Sequence, residues 1–192
     1  MTRPDLHVAG RRRVYSGWNS VDEITVSVSG SDHVREVIDH GHAVAVLPVD
    51  PVRRTVLLAR QWRPPLIGTG DDPFLLEACA GIIDEGETPE EALHREAEEE
   101  LGIRLDNLEA VGRAIMSPGC LTETIRLYLA TYGNGSRISD GGGLDHEGED
   151  IEIVEMPLDE LFAITRSGAL LDAKTAILVQ ALMLREKEET MV

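Results

Sequence analysis

The stretch that decides the fold is Gly81–Ile103, with the sequence GIIDEGETPEEALHREAEEELGI. Thr88 is a good helix N-cap, a proline follows at the first helical position, and Glu91 completes a capping box. Gly102 is a natural C-terminal glycine, because glycine accepts the left-handed backbone at which helices often end. The stretch therefore predicts a loop followed by a helix that runs to about Leu101.

The helix has an unusual acidic edge. At about 100° per residue, Leu93, Ala97 and Leu101 form an apolar stripe, and Glu96 and Glu100 lie beside it. Two carboxylates one turn apart repel each other, and a hard cation such as Mg²⁺ would relieve that repulsion by taking both as ligands. An acidic helix face solvated by water explains the pattern equally well, so the helix alone leaves both interpretations open.

The composition narrows the choice of ligand. The chain has 192 residues, with 18 Lys and Arg against 35 Asp and Glu, a net charge of −17. A pI near 4.6 argues against a nucleic-acid partner, because binding a phosphate backbone requires a basic face. Nine acids fall within 84–100 and eight more within 145–160. A small anionic substrate would need a divalent cation to offset this charge, and two acidic runs could share one.

Nothing in the sequence indicates a membrane or an exported protein. The longest apolar stretch, Ala43–Val49, is interrupted by a proline and is too short to span a bilayer. The basic N-terminus is not followed by the apolar region of a signal peptide. Cys79 and Cys120 form no disulfide framework and lack zinc-site spacing. We therefore expect a cytoplasmic protein that does not contact membranes.

Alternating and continuous apolar runs predict a mixed α/β fold. The predicted strands are Ile24–Val28, Val34–Ile38, Ala43–Leu47, Thr55–Ala59, Phe74–Ala80, Ile125–Tyr132 and Ile151–Met156. Two further helices are predicted at Leu158–Ser167 and Ala173–Arg185. The glycine-rich, acidic segment Gly133–Gly148 is long enough to be a linker or a functional loop.

Three elements of the opening stretch together resemble the Nudix box. Gly81 is followed after five residues by Glu87, and after seven more by Arg95–Ile103, REAEEELGI. On this basis the chain is similar to the Nudix hydrolase superfamily. The resemblance implies an α/β/α sandwich around a mixed sheet, with a strand–loop–helix catalytic motif. It also implies hydrolysis of a nucleoside diphosphate linked to another group, with Mg²⁺ as the cofactor and Mn²⁺ as a possible substitute.

Shorter motifs point to the branch that cleaves nucleoside diphosphate sugars. Ser117–Gly119 resembles ADP-ribose pyrophosphatases, although Cys120 replaces the glycine that commonly follows. Further segments resemble the GDP-mannose and UDP-sugar hydrolases: Leu76–Gly81, Gly141–Leu144 and Asp172–Thr175. Two resemble both branches: Arg35–Val37 and Arg60–Arg63. The implied substrates are ADP-ribose first, then GDP-mannose or a UDP-sugar, each cleaved to nucleoside monophosphate and sugar phosphate.

The resemblance also implies metal ligands. Glu96 and Glu100 match metal-binding carboxylates, and the backbone carbonyl of Ala80 matches a further oxygen ligand. Glu149, which follows three glycines, matches a ligand on a loop. Glu99 matches a catalytic position and a possible third helix ligand.

Two other catalytic roles follow from the same resemblance. Glu147 matches the general base, although an acidic loop without function is the alternative for Glu147 and its neighbour. Arg95 matches the box arginine that orients a catalytic glutamate. Spacing alone would make Arg95 an ordinary surface partner of Glu91, worth a few tenths of a kcal/mol.

Five residues match substrate-binding positions. Arg35 and Arg63 would contact the diphosphate or the terminal sugar, and Glu123 the sugar side. Trp18 would stack on the nucleobase, or it is simply a packed tryptophan. Lys174 would meet the terminal phosphate or sugar, or it only begins the last helix.

We expect two regions. Residues 1–41 would form an N-terminal β segment, and 42–192 the Nudix domain. The resemblance implies a homodimer in which the N-terminal segment helps form the substrate site. The alternatives are a non-catalytic Nudix-fold sensor, against which the retained box glutamates argue, and an acidic calcium-binding protein, for which EF-type loops are lacking.

Overall fold

The computed structural model describes residues 4–144, 146 and 148–190. Contacts divide these residues into two compact units. The first unit contains the chain up to His42 together with Ile115–Thr124, and the second contains Ala43–Ala114 together with the chain from Ile125 onward. The first unit thus extends beyond the expected N-terminal segment by taking in a later piece of chain.

The first unit is built on a three-stranded antiparallel sheet in the order β1-β2-β3. Its strands are β1 (Leu6–Ser16), β2 (Ser20–Val28) and β3 (Ser31–Asp39). Arg11 and Arg13 of β1 donate to the buried carboxylate of Asp22 on β2, at 2.6 and 2.5 Å. These ion pairs join β1 to β2 across the sheet, and the sequence of β1 alone does not predict them.

Ile115–Thr124 joins the first unit through the backbone of β3. The Ile38 N–H donates to the Cys120 carbonyl at 2.8 Å, and the Thr122 N–H donates to the Ile38 carbonyl at 3.0 Å. This segment therefore lies beside β3, although the 72 residues Ala43–Ala114 of the second unit separate the two pieces in sequence.

The second unit contains a mixed seven-stranded sheet and the described α-helices. The strands are β4 (Ala43–Asp50), β5 (Thr55–Trp62), β6 (Phe74–Glu77), β7 (Cys79–Ile82), β8 (Asp106–Ala114), β9 (Ile125–Thr131) and β10 (Glu152–Pro157). The helices are α1 (Pro89–Leu101), α2 (Leu158–Ser167) and α3 (Ala173–Thr190), with a short 3₁₀ turn at Pro64–Leu66. None of these helices is long and apolar enough to cross a membrane.

The main path of the sheet is β10-β5-β4-β9-β8, with β6 paired to β5 and β7 to β4. β4 and β9 are parallel, and the other pairs are antiparallel. Every residue of the central strand β4 is buried. Val44 and Val46 pack in one cluster with Leu93 and Ala97 of α1.

Alternate residues of β4 point to the opposite face, and α3 packs on β4 and β9 with α2 beside it. The three-layer α/β/α arrangement expected from the resemblance is confirmed.

Several predicted strands differ from those observed. The predicted strand Phe74–Ala80 is two strands that change partner at Ala78, whose N–H donates to the Thr175 hydroxyl at 2.6 Å. β4 continues past Leu47 to Asp50, because its pairing with β9 extends beyond the proline. β8 was not predicted, since it is an edge strand with mostly exposed side chains and no regular alternation.

Candidate active site

The helix at the centre of the candidate site begins as the sequence predicted. The Thr88 hydroxyl accepts a hydrogen bond from the Glu91 N–H, and the Glu91 carboxylate accepts one from the Thr88 N–H at 2.8 Å. Gly102 ends the helix with a left-handed φ of 67°. Both ends of α1 are thus set by local chemistry.

Gly81 on β7 lies directly against Glu96 of α1. A methyl group on Gly81 would overlap the Glu96 carboxylate. The absence of a side chain on β7 therefore gives a helix carboxylate room to lie beside the strand, which is the physical reason for a glycine at this position.

Glu96 and Glu100 lie at the edge of the core, with exposures of 9% and 2%. The Glu100 carboxylate accepts a hydrogen bond from the Ala80 N–H at 3.1 Å. Burial raises the pKa of Glu96 to about 7 and that of Glu100 to about 8. The charge of Glu149 is a smaller contribution in the same direction to both pKa values. The two carboxylates are therefore poorly solvated, and a cation would stabilise their charged forms.

Arg95 ties the loop before α1 to the acidic edge of the helix. Its Nε and Nη2 atoms donate to the two carboxylate oxygens of Glu87, at 3.0 and 2.9 Å. Its Nη1 atom donates to Glu96 at 2.7 Å and to Glu99 at 3.1 Å. These hydrogen bonds, that of Glu87 foremost, raise the pKa of the guanidinium above its usual value. Arg95 thus restrains two of the predicted functional glutamates.

The donor set around this edge suits a hard cation. It consists of carboxylate oxygens and the backbone carbonyl oxygen of Ala80. Oxygen ligands of these kinds are the ones that Mg²⁺ prefers. Within the described residues, no three His, Cys, Asp or Glu side chains lie together ready to enclose an ion. Glu96 and Glu100 are the two buried members of the set. Their raised pKa values show that burial disfavours their negative charge, which a bound cation would stabilise.

The second acidic run, residues 145–160, contains the predicted metal ligand Glu149 and the predicted general base Glu147. Glu149 accepts a hydrogen bond from the Leu144 N–H at 3.0 Å. Its charge acts on the same two helix carboxylates, as their pKa values show. Glu147, the predicted general base, lies outside the described residues.

Arg63 and Lys174 are brought together by a carboxylate that the sequence analysis did not assign. Glu77 on β6 is 2% exposed and accepts hydrogen bonds from Arg63 Nε and Nη2 at 2.7 and 2.9 Å. Lys174 donates to Glu77 and, at 3.0 Å, to Asp172. Burial would raise the pKa of Glu77, but the Arg63 hydrogen bond and the charge of Lys174 outweigh it and keep the pKa below its usual value.

The remaining predicted substrate residues belong to the first unit. Trp18 lies in the turn between β1 and β2 and is 81% exposed, so it is not a packed core residue of that unit. Arg35 on β3 is exposed and donates to the Val34 carbonyl at 2.7 Å. Glu123 is mostly buried, with His40 Nε2 at 3.5 Å from its carboxylate.

Sequence reasoning missed two of the residues that organise the site. Glu77 had one available signal, a lone acid within the apolar segment Leu75–Ala80. A buried acid in such a segment needs a cationic partner. Glu87 was part of the box, but its pairing with Arg95 spans eight residues and cannot be found from helix periodicity.

Comparisons with known proteins point to one family. The sequence model of the NUDIX domain matches residues 39–176. A protein named GDP-mannose pyrophosphatase from Cronobacter sakazakii is 44% identical over 154 residues, covering 80% of this chain and 79% of that protein. The Klebsiella pneumoniae protein of the same name is 33% identical over 184 residues, covering 93% and 91%.

A solved structure described as an ADP compounds hydrolase has a TM-score of 0.72 at 21% identity, covering 100% of this chain and 98% of that chain. At this identity the likeness shows a shared fold. The family match extends over more than half of the chain, from the end of β3 into α3. With its box motif folded as strand, loop and helix, this protein belongs to the Nudix family.

Proposed function

We propose that this protein hydrolyses the diphosphate bond of a nucleoside diphosphate sugar, releasing nucleoside monophosphate and sugar phosphate. The observation that carries the proposal is the pair of buried carboxylates Glu96 and Glu100, one helical turn apart and packed beside Gly81 and Ala80. Burying two acids without a use for their charge would cost stability. A metal-dependent reaction gives that charge a role.

The metal is held, in this proposal, by Glu96, Glu100, Glu149 and the Ala80 carbonyl, with Glu99 as a further ligand or catalytic group. Mg²⁺ is the expected ion, and Mn²⁺ is a substitute of similar preference for oxygen ligands. A divalent ion held there would supply Lewis-acid chemistry: it would offset the diphosphate charge and make the attacking water more acidic.

The side chains of this protein accept the proton and orient the functional glutamates. Glu147 accepts the proton of the attacking water as general base. Arg95, anchored by both oxygens of Glu87, keeps Glu96 and Glu99 in fixed orientations. Preorganised groups of this kind contribute because they need not rearrange when charge develops in the transition state.

GDP-mannose is the first substrate to test. The sequence motifs placed ADP-ribose first, but the relatives at 33–44% identity are named GDP-mannose pyrophosphatase. Arg63 offers an anion its Nη1 atom, since Nε and Nη2 are occupied by Glu77. Lys174 is largely committed to Glu77 and Asp172, so its role toward substrate is secondary to that of Arg63.

The proposal includes a cytoplasmic homodimer in which the first unit supplies Trp18, Arg35 and Glu123 to the substrate. Exposed apolar side chains on its sheet, among them Leu6 and Val8 at 63% and 62%, support an interface there. Both cysteines are free thiols, which fits a reducing compartment.

The test is a side-by-side assay of GDP-mannose, ADP-ribose and UDP-glucose with Mg²⁺, with products identified by ³¹P NMR. We expect GMP and mannose 1-phosphate to form fastest. Glu100→Gln serves as the inactive control and Glu98→Gln, on the exposed side of α1, as the active one. Tight binding of a nucleotide sugar without turnover would instead favour the non-catalytic sensor.

A further inference from the structure

Three consecutive glycines, Gly141–Gly143, lie against the C-terminal turn of α1. The Gly142 N–H donates to the Glu100 carbonyl at 2.9 Å, and the Gly143 N–H donates to the Glu99 carbonyl at 3.0 Å. The last carbonyls of a helix have no partner within the helix. The glycine segment therefore supplies hydrogen bonds to the very turn that carries two of the functional glutamates.

This contact is so close that it excludes side chains. Gly141 has a φ of +64°, and a Cβ there would lie 2.7 Å from the Gly102 nitrogen and 2.8 Å from the Leu101 carbonyl carbon. On the facing side, a Cβ on Gly102 would overlap the Ser139 carbonyl oxygen. Loop and helix thus meet backbone to backbone, and an alanine at Gly141 would have to push them apart.

The same glycines contact Glu149 on their other side. A Cβ on Gly143 would lie 2.6 Å from the Glu149 Cβ and 2.7 Å from its Oε2. The Ile151 N–H donates to the Gly142 carbonyl at 3.1 Å, and the Leu144 N–H donates to the Glu149 carboxylate. The segment therefore connects the Glu149 carboxylate to the end of α1 through a few short contacts.

We propose that Gly141 and Gly143 are positioning residues that hold Glu149 in place relative to Glu96 and Glu100, so that the metal ligands of loop and helix are set before the ion binds. The inference rests on the proposed function, because it assigns Glu149 to the metal. Its physical basis is that ordering a free ligand loop on binding would cost conformational entropy. A segment that only caps the helix would affect stability and leave metal affinity unchanged.

The experiment measures Mg²⁺ binding to the full-length protein by calorimetry, without substrate. For Gly141→Ala we expect binding roughly 10–100-fold weaker, the usual effect of losing a group that orients a metal ligand. The matched control is Gly168→Ala. Gly168, which ends α2, also has a left-handed φ, of +77°, but an added Cβ there meets nothing within 4 Å among the described atoms. It should bind Mg²⁺ like the unchanged protein.

A double-mutant cycle tests the route of the effect. If the glycine acts through Glu149, Gly141→Ala should weaken binding no further in a Glu149→Gln background. Gly143→Ala, whose methyl would press on Glu149 directly, provides the same test should Gly141→Ala not fold. Unchanged affinity in the folded glycine variants, or losses that add fully to that of Glu149→Gln, would overturn the inference. An unchanged protein that binds Mg²⁺ but hydrolyses no nucleotide sugar would refute the proposed function alone.

Discussion

Arg95 pairs with Glu87, which lies eight residues earlier in the chain. Glu91, one helical turn before Arg95, instead caps the helix. The Arg95–Glu87 pair is bidentate, at 3.0 and 2.9 Å, while the Glu91 carboxylate accepts from both the N–H and the hydroxyl of Thr88. Two neighbouring acids of one motif therefore have separable functions, one in holding the guanidinium and one in starting the helix.

This division predicts opposite phenotypes. We expect Glu87→Gln to lower kcat by roughly 10–100-fold, because Arg95 loses the partner that orients it. Glu91→Ala should cost about 1 kcal/mol of folding stability through the lost cap and leave kcat unchanged. Steady-state kinetics and thermal melts on both variants check this. A kcat loss confined to Glu91→Ala would contradict it.

Glu100→Gln should abolish turnover more than folding. We expect kcat to fall by at least ~10²-fold, because the lost charge stabilises the transition state through the metal. Folding should tolerate the change, since a neutral amide relieves repulsion with Glu96. Calorimetry should show weaker Mg²⁺ binding, whereas Glu98→Gln on the exposed side of α1 retains both properties. Near-normal activity of Glu100→Gln at saturating Mg²⁺ would reject the metal assignment.

Glu147 and Glu149 should separate by phenotype. Glu147→Gln should lower kcat by roughly 10²–10⁴-fold, the usual contribution of a general base, with little change in metal affinity. Glu149→Gln should mainly weaken the apparent affinity for Mg²⁺. Swapped phenotypes would mean that the two roles are reversed, and two silent variants would mean that the loop is only a linker.

Glu77 should make folding stability depend on pH in the acid range. Its pKa is lower in the folded chain than in the unfolded one, so its contribution is present above the unfolded pKa of about 4.5 and is lost as pH falls through the folded pKa. Glu77→Gln should remove this dependence. It should also destabilise the protein at pH 7 by about 3 kcal/mol, the lower end for a broken buried pair, because Arg63 remains 40% exposed.

Urea denaturation between pH 3 and pH 7 measures both effects of Glu77→Gln. The matched control is Glu109→Gln, which removes an ion pair with Arg185 at the surface. Surface pairs contribute about 0–1 kcal/mol, so this variant should differ little from the unchanged protein. Equal destabilisation by the two variants would show that burial of Glu77 has no energetic consequence.

The proposed dimer predicts a mass of twice 21.0 kDa by light scattering. Leu6 and Val8 share one face of β1, so a Leu6→Asp, Val8→Asp double variant should return the mass to that of the monomer and raise KM for the nucleotide sugar. Val52→Asp, at a still more exposed position in the second unit, should leave both unchanged. A full-length monomer with full activity would contradict the proposal that two subunits share the substrate site.

Much of the fold could be predicted where the information is local. The helix α1 was predicted with its start and approximate end, because Thr88, Glu91 and Gly102 satisfy its ends with their own side chains and backbone. The buried strands β4, β5 and β9 were predicted from continuous apolar runs. The edge strands β1 and β8 were missed, since their order comes from pairing with a neighbour that their own exposed side chains do not encode.

The candidate site likewise has one part that the sequence predicted and another that it did not. The order of residues in the box already placed Glu96 and Glu100 on one edge of a helix, because helix periodicity depends only on spacing. Spacing could not reveal that Glu87 rather than Glu91 holds Arg95, that Glu77 binds Arg63 and Lys174, or that Gly141 meets Gly102. Each of these contacts joins residues that lie in different elements or loops, so neither helix nor strand periodicity relates them. Such contacts exist only once the sheet has brought those elements together.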